Sequence, residues 1–379
     1  MKLLVDCHVF DGKFQGTRTY LEGLYEQMIK HDDIDFYFAA HEVEKLKGVF
    51  GSKSNVHYVA LQHQGSIGRL MFDFPQIIKE NGIDYAHFQY ISPFKKCCKE
   101  IVTIHDLLFL DFPQYFSTPY KLKNTFFFKR SAKRADILLT VSEYSRERIS
   151  KWFKVPEGQI GITPNAVLPI PSNVAIPDVK KKYDLDKYIL TVSRIEPRKN
   201  HLMLLKAFVE LGLYEKEYKL VMIGTPDLKY TEFKEYYDGL SEEIKSHILI
   251  QSVPFPDLVG LYKNASLFVF PSNAEGFGIP PLEAVEYGCP VLTSDATAMP
   301  EFGFPKEMTF DPSDKEELKR KMESMLRNPV KVDPSVMEDR YNWKNSADIL
   351  YNVLVHKNVS MNMNNLIWGG QKPPHKVNQ

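Results

Sequence analysis

Short apolar runs alternate with longer amphipathic stretches along the first half of the chain. The runs have the length and the β-branched or aromatic content of buried strands, and residues 20–29 show the apolar spacing of a helix. Strands that alternate with helices predict a parallel sheet. The predicted strands are residues 2–7, 35–39, 56–59, 85–88, 100–106 and 137–142.

The second half repeats this pattern after a segment, residues 168–177, that contains three prolines and no charged side chain. Its predicted strands are residues 188–192, 219–223, 247–250, 267–270 and 290–293. We therefore predict an α/β fold with two Rossmann-like parallel-sheet domains that face a cleft.

The same patterns predict where the domains begin and end. The proline-rich segment begins a linker, and a last amphipathic helix is expected to cross back to the first half. The tail is rich in Asn, Gly and Pro and is expected to be mobile. The predicted order is a first domain over 1–167, the linker over 168–186, a second domain over 187–340, the helix over 341–356 and the tail over 357–379.

A polar stretch after one strand of the second half, residues 271–283, has the features of an anion-binding turn. Gly276 and Gly278 let backbone N–H groups approach a ligand closely, and two following prolines suit the first turn of a helix. The N-terminus of a helix favours a phosphate. Glu275 and Glu283 lie on either side of the turn, where carboxylates accept hydrogen bonds from sugar hydroxyls.

Another strand end in the second half carries a group of cations. Residues 193–201 place Arg194, Arg198 and Lys199 directly before a helix. These side chains would hold a diphosphate from the side opposite the glycine-rich turn. The alternative is a solvated loop without a ligand.

Two further strand ends are weaker candidates for contacts with a ligand. The loop 252–257, which contains Val253 and Phe255, would pack its backbone and its aromatic ring around a base. His105 and Asp106 end a strand of the first half, where ligands of parallel sheets bind. The alternative is a structural histidine beside an aspartate that caps a turn.

Charge, cysteines and apolar run length exclude several classes of protein. Lys+Arg and Asp+Glu are both 48, so the overall charge gives no reason to expect a nucleic acid partner. The four cysteines have neither a metal-binding spacing nor a simple disulfide pattern, which favours reduced thiols in the cytoplasm. The first residues are too short an apolar run for a signal peptide, and no run of about 18 apolar residues would span a membrane.

Cofactor motifs are also lacking in the sequence. The loop after the first strand contains Gly12 and Gly16 but not G-x-G-x-x-G, which disfavours a dinucleotide. Two pairs of aspartates have the spacing of a metal-binding carboxylate motif, Asp33 with Asp35 and Asp184 with Asp186. Both pairs precede a strand, whereas the motif is expected to follow one. We therefore expect no cofactor and no metal.

The segment 115–134 combines basic and aromatic residues without any acidic one. A helix with cations on one side and aromatics on the other can lie on an anionic membrane surface. The alternative is a core helix that buries its phenylalanines and leaves a solvated basic face.

Several of these stretches resemble glycosyltransferase family 4, whose members are retaining enzymes of the GT-B fold. The matching stretches are residues 193–200, 257–264 and above all 271–283, which resembles the family's Glu-x7-Glu motif. The resemblance extends to about residue 351 and is looser in the first half, where 103–107 and 140–145 match best.

In the second half the resemblance implies roles for individual residues. Arg194 and Lys199 resemble the ligands of the diphosphate, Glu283 resembles the carboxylate on the ribose, and Glu275 resembles the carboxylate that faces the donor sugar. Val253 is grouped with the donor-binding residues. A loop whose amides contact sugar and phosphate is matched by Phe277, Gly278 and Ile279.

In the first half the resemblance makes His105 similar to a histidine that reaches the donor sugar, and Gly16 similar to a glycine loop near the phosphates. Here the chain departs from the pattern, because Gln15 and Gly16 stand where many members carry two glycines. The first domain would take the acceptor.

The expected protein is a retaining transferase that moves a hexose, such as mannose, from a nucleoside diphosphate sugar to a glycan or lipid-linked glycan. It would act in polysaccharide or O-antigen assembly in the cytoplasm, in peripheral contact with the inner face of the cytoplasmic membrane. Retention is implied by the resemblance alone. The alternatives are a sugar-nucleotide epimerase on the same fold and a binding module without catalysis.

Overall fold

The computed structural model describes residues 1–12, 15–227 and 230–355. The chain forms two compact units, one of Met1–Leu168 together with the chain from Tyr341 onward, and one of Pro169–Arg340. The tail predicted over 357–379 lies outside the described residues.

The first unit is built on a seven-stranded sheet with the order β3-β2-β1-β4-β5-β6-β7, and the recorded pairings are parallel. The order reverses between β1 and β4. The strands are β1 (Lys2–Asp6), β2 (Asp35–Ala40), β3 (Val56–Ala60), β4 (Tyr85–Gln89), β5 (Lys99–Thr103), β6 (Ile137–Thr140) and β7 (Ile160–Ile162).

The second unit repeats this arrangement in six strands with the order β10-β9-β8-β11-β12-β13, again with parallel pairings. The order reverses between β8 and β11. The strands are β8 (Lys187–Val192), β9 (Tyr218–Ile223), β10 (Ile248–Gln251), β11 (Leu267–Phe270), β12 (Val291–Ser294) and β13 (Thr309–Phe310). The prediction of two Rossmann-like parallel-sheet domains is confirmed.

Helices cover both sheets. Those of the first unit are α1 (Gly16–Met28), α2 (Val43–Phe50), α3 (Gly65–Gly68), α4 (Phe74–Asn81), α5 (Leu108–Asp111), α6 (Thr118–Arg134), α7 (Glu143–Phe153) and α16 (Trp343–Val355). Those of the second unit are α8 (Val179–Lys182), α9 (His201–Glu210), α10 (Thr231–Asp238), α11 (Glu242–Ser246), α12 (Phe255–Asn264), α13 (Ile279–Glu286), α14 (Lys315–Arg327) and α15 (Pro334–Arg340).

The segment predicted as a linker, residues 168–186, falls from Pro169 onward within the second unit. Val179 of α8 is fully buried, and a Cβ on Gly260 of α12 would lie 2.7 Å from its Cγ1. Asp257 of α12 accepts hydrogen bonds from the side chains of Lys182 and Tyr183. These contacts attach the segment to α12, and the proline content alone did not indicate them.

The last helix, α16, packs on α1 in the first unit. The ring of Trp343 lies against Gly23, where a Cβ would come within 2.1 Å of its Cε2 atom. The indole N–H of Trp343 donates to the carbonyl of Val167 at 3.2 Å, and the Ser346 hydroxyl donates to the carbonyl of Pro164 at 2.7 Å. The absence of a side chain at Gly23 is what permits this packing.

Replacing Gly23 with alanine is expected to destabilise the first unit by about 1–3 kcal/mol, because a methyl group must displace a rigid, buried indole. The matched control is Gly48→Ala in α2, where a Cβ meets no atom within 4 Å. That change should be neutral or stabilising by up to about 1 kcal/mol, the ordinary helix preference. Urea unfolding of both variants measures the difference, and equal midpoints would contradict the close contact.

Candidate functional site

The candidate site lies where the strand order of the second sheet reverses, at the carboxyl ends of β8 and β11. Loops that leave neighbouring parallel strands at such a point diverge and leave room for a ligand. The loop after β8 carries Lys199, and the loop after β11 carries Glu275. Both stretches that the sequence suggested are therefore at the same position in the fold.

Glu275 is buried and held by two cations from the loop after β8. Its Oε1 lies 2.5 Å from Lys199 Nζ, and its Oε2 lies 3.3 Å from Arg198 Nη1. The second guanidinium nitrogen of Arg198 binds Glu196 Oε1 at 2.7 Å. The backbone N–H of Glu275 donates to Thr297 Oγ1 at 2.8 Å. The carboxylate thus has one fixed position and orientation.

Backbone contacts hold the two loops together. The N–H of Asn273 donates to the carbonyl of Arg198 at 2.8 Å. Asn200 adopts a left-handed conformation with φ 57° and extends its amide to Asn273 Oδ1 at 3.4 Å and to the Pro312 carbonyl at 3.0 Å. A residue that tolerates positive φ is needed at this point, and asparagine does so better than most. This turn directs Arg198 and Lys199 toward Glu275.

A third strand end supports the same loop. Gly224, directly after β9, has φ 157°, and a Cβ there would lie 1.9 Å from the carbonyl oxygen of Ser193. Ile195 forms a parallel bridge with Pro226. The loop after β8 therefore rests on the backbone that follows β9, and only glycine fits the contact.

The charges of this cluster depend on one another. Burial raises the pKa of Glu275, but Lys199 and Arg198 outweigh that effect, so the pKa falls below its ordinary value. Burial lowers the pKa of Lys199, and Glu275 opposes that effect. The pKa of Lys199 stays below its ordinary value, because Glu275 offsets the effect of burial only in part. A buried pair of this kind presents fixed charge to a ligand without reorganisation.

Helix α13 begins at the glycine-rich turn. Gly278 precedes it with φ 94°, a left-handed conformation, and a Cβ there would meet the Met299 methyl carbon at 2.2 Å. Phe277 is buried with its ring edge-on to Phe302 at 5.5 Å, and Ile279 is half-buried at the first helical position. Prolines occupy positions 280 and 281, so Ile279 supplies the backbone N–H of the first helical position of α13, and the positive end of the helix dipole lies at this turn.

Glu283 lies in α13, and its Oε2 accepts a hydrogen bond from the Tyr262 hydroxyl of α12 at 2.8 Å. Burial raises the pKa of Glu283, and the tyrosine opposes this only in part. The two glutamates of the motif therefore differ. Glu275 is held as an anion by cations, and Glu283 is oriented by a neutral donor.

Arg194 occupies a different position from Lys199. Its side chain is 67% exposed, with its closest carboxylates at 3.6 Å on Glu196 and 3.7 Å on Asp227. Val253 is half-buried in the loop between β10 and α12, and Phe255 at the start of α12 is exposed. The structure therefore joins Lys199 to Glu275 and leaves Arg194 outside that pair, whereas Val253 follows β10, two strands away from β8 in the sheet.

The first unit contains the two remaining predicted site residues. His105 follows β5, is buried, donates from Nε2 to Gln89 Oε1 at 2.8 Å, and packs edge-on against Tyr20 at 5.0 Å. Burial lowers its pKa to about 3, so the ring is neutral. Gly16 is exposed and begins α1. Asp106 accepts from the N–H of Leu108 at 3.1 Å, which fits the turn-capping alternative.

Three residues contribute to the site in roles that were not predicted from the sequence: Tyr262, Thr297 and Arg198, the last of which binds Glu275. Arg198 lies beside Lys199, and Tyr262 lies in the stretch 257–264 that resembles the family. Nothing in the sequence points to Thr297. Among residues 1–12, 15–227 and 230–355, no group of three or more His, Cys, Asp or Glu side chains is arranged to hold a metal ion. Within the same residues no helix is long and apolar enough to cross a membrane.

Comparison with known proteins identifies the family of the chain. The model of glycosyltransferase family 4 matches residues 15–168, and the model of glycosyl transferases group 1 matches residues 174–348. The first match falls on the first unit, the second covers most of the second unit and the start of α16, and together they span most of the chain. The chain belongs to glycosyltransferase family 4, so the family resemblance inferred from the motifs is confirmed.

Two of the proteins to which the chain is similar are mannosyltransferases of Escherichia coli. The chain is 29% identical over 273 residues to the serotype-specific mannosyltransferase WbdA of Escherichia coli, which covers 66% of this chain and 32% of that protein. It is 29% identical over 253 residues to the O-antigen chain mannosyltransferase B of Escherichia coli, covering 61% of this chain and 63% of that protein. The chain thus spans about a third of the length of the first of these relatives.

A solved structure confirms the fold. The crystal structure of Anabaena Alr3699/HepE in complex with UDP-glucose superposes with a TM-score of 0.69 and 15% identity, covering 94% of this chain and 100% of that chain. At this identity the likeness establishes the fold and not the substrate.

Proposed function

We propose that this protein is a retaining glycosyltransferase that moves a hexose, mannose foremost, from a nucleoside diphosphate sugar to a glycan or lipid-linked glycan. The observation that carries the proposal is the buried Glu275 between Lys199 and Arg198 at the reversal point of the second sheet. The two Escherichia coli relatives, both named as mannosyltransferases, support mannose and a role in O-antigen assembly.

The chemistry begins at the bond between the anomeric carbon and the diphosphate oxygen. As this bond breaks, its electron pair goes to the oxygen, and an acceptor hydroxyl adds to the carbon and gives its proton to the departing diphosphate. Negative charge grows on the diphosphate. Lys199, Arg194 and the positive end of the α13 dipole would stabilise that charge, and these groups come from the protein, so we propose that no metal is required.

We propose different roles for the two carboxylates of the motif. Glu275 faces the transferred sugar and accepts hydrogen bonds from its hydroxyls. Glu283 binds the ribose through the oxygen that Tyr262 leaves available, since the tyrosine donates to Oε2. Val253 and the loop of Phe277, Gly278 and Ile279 complete the donor site. Donor contacts of His105 and Gly16, in the first unit, remain predictions from the resemblance.

Arg194 and Arg198 are expected to respond differently to truncation. Arg194→Ala should weaken donor binding roughly tenfold or more, the value of a charge-assisted hydrogen bond, with unchanged stability because its side chain is exposed and loosely paired. Arg198→Ala should lower stability as well, because the guanidinium binds Glu275, Glu196 and a backbone carbonyl. Calorimetric titration with donor and thermal unfolding separate the two. Equal stability losses would contradict the distinction.

The proposed activity is tested by incubating the protein with GDP- and UDP-linked hexoses, with and without glycan acceptors, and assigning the anomeric configuration of the product. We expect transfer with retention, and release of the nucleoside diphosphate that follows acceptor concentration. Conversion of the donor sugar without acceptor would favour an epimerase. Donor binding without turnover would favour a binding module, and no binding to any donor would contradict the proposal.

A lipid-linked acceptor also has consequences for location. Such an acceptor lies at the surface of a membrane, so the proposal includes peripheral contact with the inner face of the cytoplasmic membrane. The segment 115–134 is the candidate for this contact.

A further inference from the structure

Helix α6 exposes apolar side chains on the face opposite its core contacts. Its buried positions are Asn124, Phe128, Ser131 and Ala132. Leu122 is 70% exposed and Phe126 is 63% exposed. Because these two residues are four apart, they lie one above the other on one face of the helix. The sequence left open whether the aromatics are buried or exposed, and the structure assigns Phe128 to the core and Phe126 to the surface.

Cations continue and flank the same face. Lys129 and Lys133 follow Leu122 at seven and eleven positions, the spacing that keeps residues on one side of a helix. Lys123 and Lys133 are exposed. The outward surface of α6 therefore has Leu122 and Phe126 toward its N-terminus and Lys129 and Lys133 toward its C-terminus, with Lys123 beside the apolar pair.

A loop beside α6 extends the apolar part. Phe94 is 47% exposed, and Arg130 and Arg134 each donate to its backbone carbonyl at 2.6 Å. The Arg130 guanidinium also lies 4.9 Å from the Phe94 ring centroid, and Phe94 packs edge-on against Phe127 at 5.7 Å. Phe94 is thus fixed next to the helix. We call Phe94, Leu122, Phe126 and the surrounding lysines the α6 face.

Two acidic groups next to the C-terminal part of α6 are paired with cations. Glu100 is buried and bound to Arg134 at 2.5 Å, and Asp136 is bound to Lys96 at 2.7 Å. Residues 113–135 contain no acidic side chain. The face therefore presents a net positive charge around its apolar centre.

We propose that the α6 face docks on an anionic lipid bilayer, with Leu122, Phe126 and Phe94 entering the interface and the lysines binding lipid headgroups. This inference rests on the proposed function for its purpose, since a lipid-linked acceptor lies at such a surface, but its physical basis is independent of catalysis. Lysine is depleted at the centres of protein interfaces, whereas large apolar residues among lysines are typical of helices that lie on anionic membranes. That composition favours a bilayer over a protein partner.

The chain contains a matched control for exposed apolar residues. Ile67 is 70% exposed and Phe72 is 54% exposed, and both lie in the first unit on residues 65–73. That segment has one cation, Arg69, which is paired with Asp6 at 3.4 Å. A Leu122→Ser/Phe126→Ser variant can thus be compared with an Ile67→Ser/Phe72→Ser variant that removes similar apolar surface without surrounding lysines.

The test is sedimentation of the full-length protein with vesicles of phosphatidylcholine alone and of phosphatidylcholine with 30% phosphatidylglycerol, a fraction of about a third chosen to resemble an anionic leaflet. The wild type should bind the anionic vesicles and not the neutral ones. Leu122→Ser/Phe126→Ser should weaken this binding about tenfold or more, and Lys123→Gln/Lys129→Gln/Lys133→Gln should remove the preference for anionic lipid. Ile67→Ser/Phe72→Ser should bind like the wild type.

Several outcomes would overturn the proposal. Unchanged vesicle binding in both α6 variants would do so, as would equal losses in the Ile67→Ser/Phe72→Ser control. A wild-type dimer in solution that becomes monomeric in the Leu122→Ser/Phe126→Ser variant, without vesicle binding by either, would assign the face to a second copy of the chain.

The experiments test the proposed sugar transfer and the proposed membrane docking independently of each other. Lys199→Ala should bind vesicles like the wild type but lose transfer. Leu122→Ser/Phe126→Ser should keep transfer to a water-soluble acceptor while losing the vesicles. If the wild type binds anionic vesicles but transfers no sugar, the proposed function fails and the docking surface stands. If it transfers sugar but binds no vesicles, the docking surface fails and the proposed function stands.

Discussion

Replacing Lys199 with alanine is expected to lower kcat/KM for sugar transfer by about 10²–10³-fold, the usual effect of removing one fixed group that stabilises transition-state charge. The ammonium lies 2.5 Å from Glu275 and is largely buried. Its removal takes away the charge that would meet the leaving diphosphate and leaves Arg198 as the cation that contacts Glu275. Most of the loss should appear in kcat, because the charge grows as the bond breaks.

Lys206→Ala is the control for this change. Lys206 is a half-buried lysine of α9, the helix that follows the Lys199 turn, and its ammonium lies 5.3 Å from the Tyr236 ring centroid. Its removal should leave kcat/KM within about twofold of the wild type, since a surface cation–π contact contributes little. Lys199→Arg should recover part of the lost activity, because it restores the charge with a different shape. A Lys199→Ala enzyme with wild-type kinetics would exclude the proposed role.

Much of the fold follows from apolar patterning. Strand β11 has the limits that its four apolar residues predict, because the run ends in a proline and a serine. The strands Ile160–Ile162 and Thr309–Phe310 lie at sheet edges and contain three and two residues, too few to show a period. The prolines alone predict the linker. The burial of Val179 cannot be predicted in this way, because it depends on contact with α12, which lies far away in the sequence.

The sequence predicts those site residues that lie together in one local motif. It does not predict contacts that depend on the conformation of a turn. Glu275 and Glu283 lie in one stretch, and the strand order brings that stretch to the loop of Lys199. Which cation of this loop turns inward is set by the left-handed conformation of Asn200, which no periodicity indicates. Tyr262 reaches Glu283 from a neighbouring helix, and such a pairing requires the packed structure.

The same reasoning applies to α6. Three consecutive phenylalanines, residues 126–128, point in directions 100° apart on a helix. The sequence alone does not show which of them faces the sheet, because packing against the neighbouring strands β5 and β6 determines the buried side of the helix. The structure buries Phe128 and exposes Phe126, so the core-helix and surface-helix interpretations each describe one face.

Glu275→Gln is expected to lower kcat by about 10²-fold or more, because a neutral amide cannot supply the charge that the sugar meets as its bond to the diphosphate breaks. Glutamine has nearly the same size, so the loss would report charge and not volume. Glu286→Gln is the control, since Glu286 is the last residue of α13, one turn beyond Glu283, and is not among the partners of Lys199 or Arg198 given above. It should retain wild-type activity, and equal activity of Glu275→Gln and wild type would remove Glu275 from the mechanism.

The same substitution should also change how stability depends on pH. Replacing Glu275 leaves Lys199 and Arg198 without their shared carboxylate, a loss of about 3–5 kcal/mol for a broken buried pair. The pKa of Glu275 in the folded protein is below its ordinary value of 4.5, so the folded state holds this proton less tightly than the unfolded state. The stabilisation by Glu275 is therefore present above pH 4.5 and is lost as the pH falls through the folded-state pKa.

Urea unfolding of wild type and Glu275→Gln at several pH values measures this dependence. The difference in unfolding free energy should be constant from about pH 5.5 to 8, well above the ordinary carboxyl pKa, and should shrink as the solution becomes more acidic than that pKa. A difference that grows on acidification would mean that Glu275 is protonated in the folded protein at neutral pH. In that case Lys199 would carry an unpaired charge, and the site would bind a diphosphate through cations alone, without a carboxylate held against the sugar.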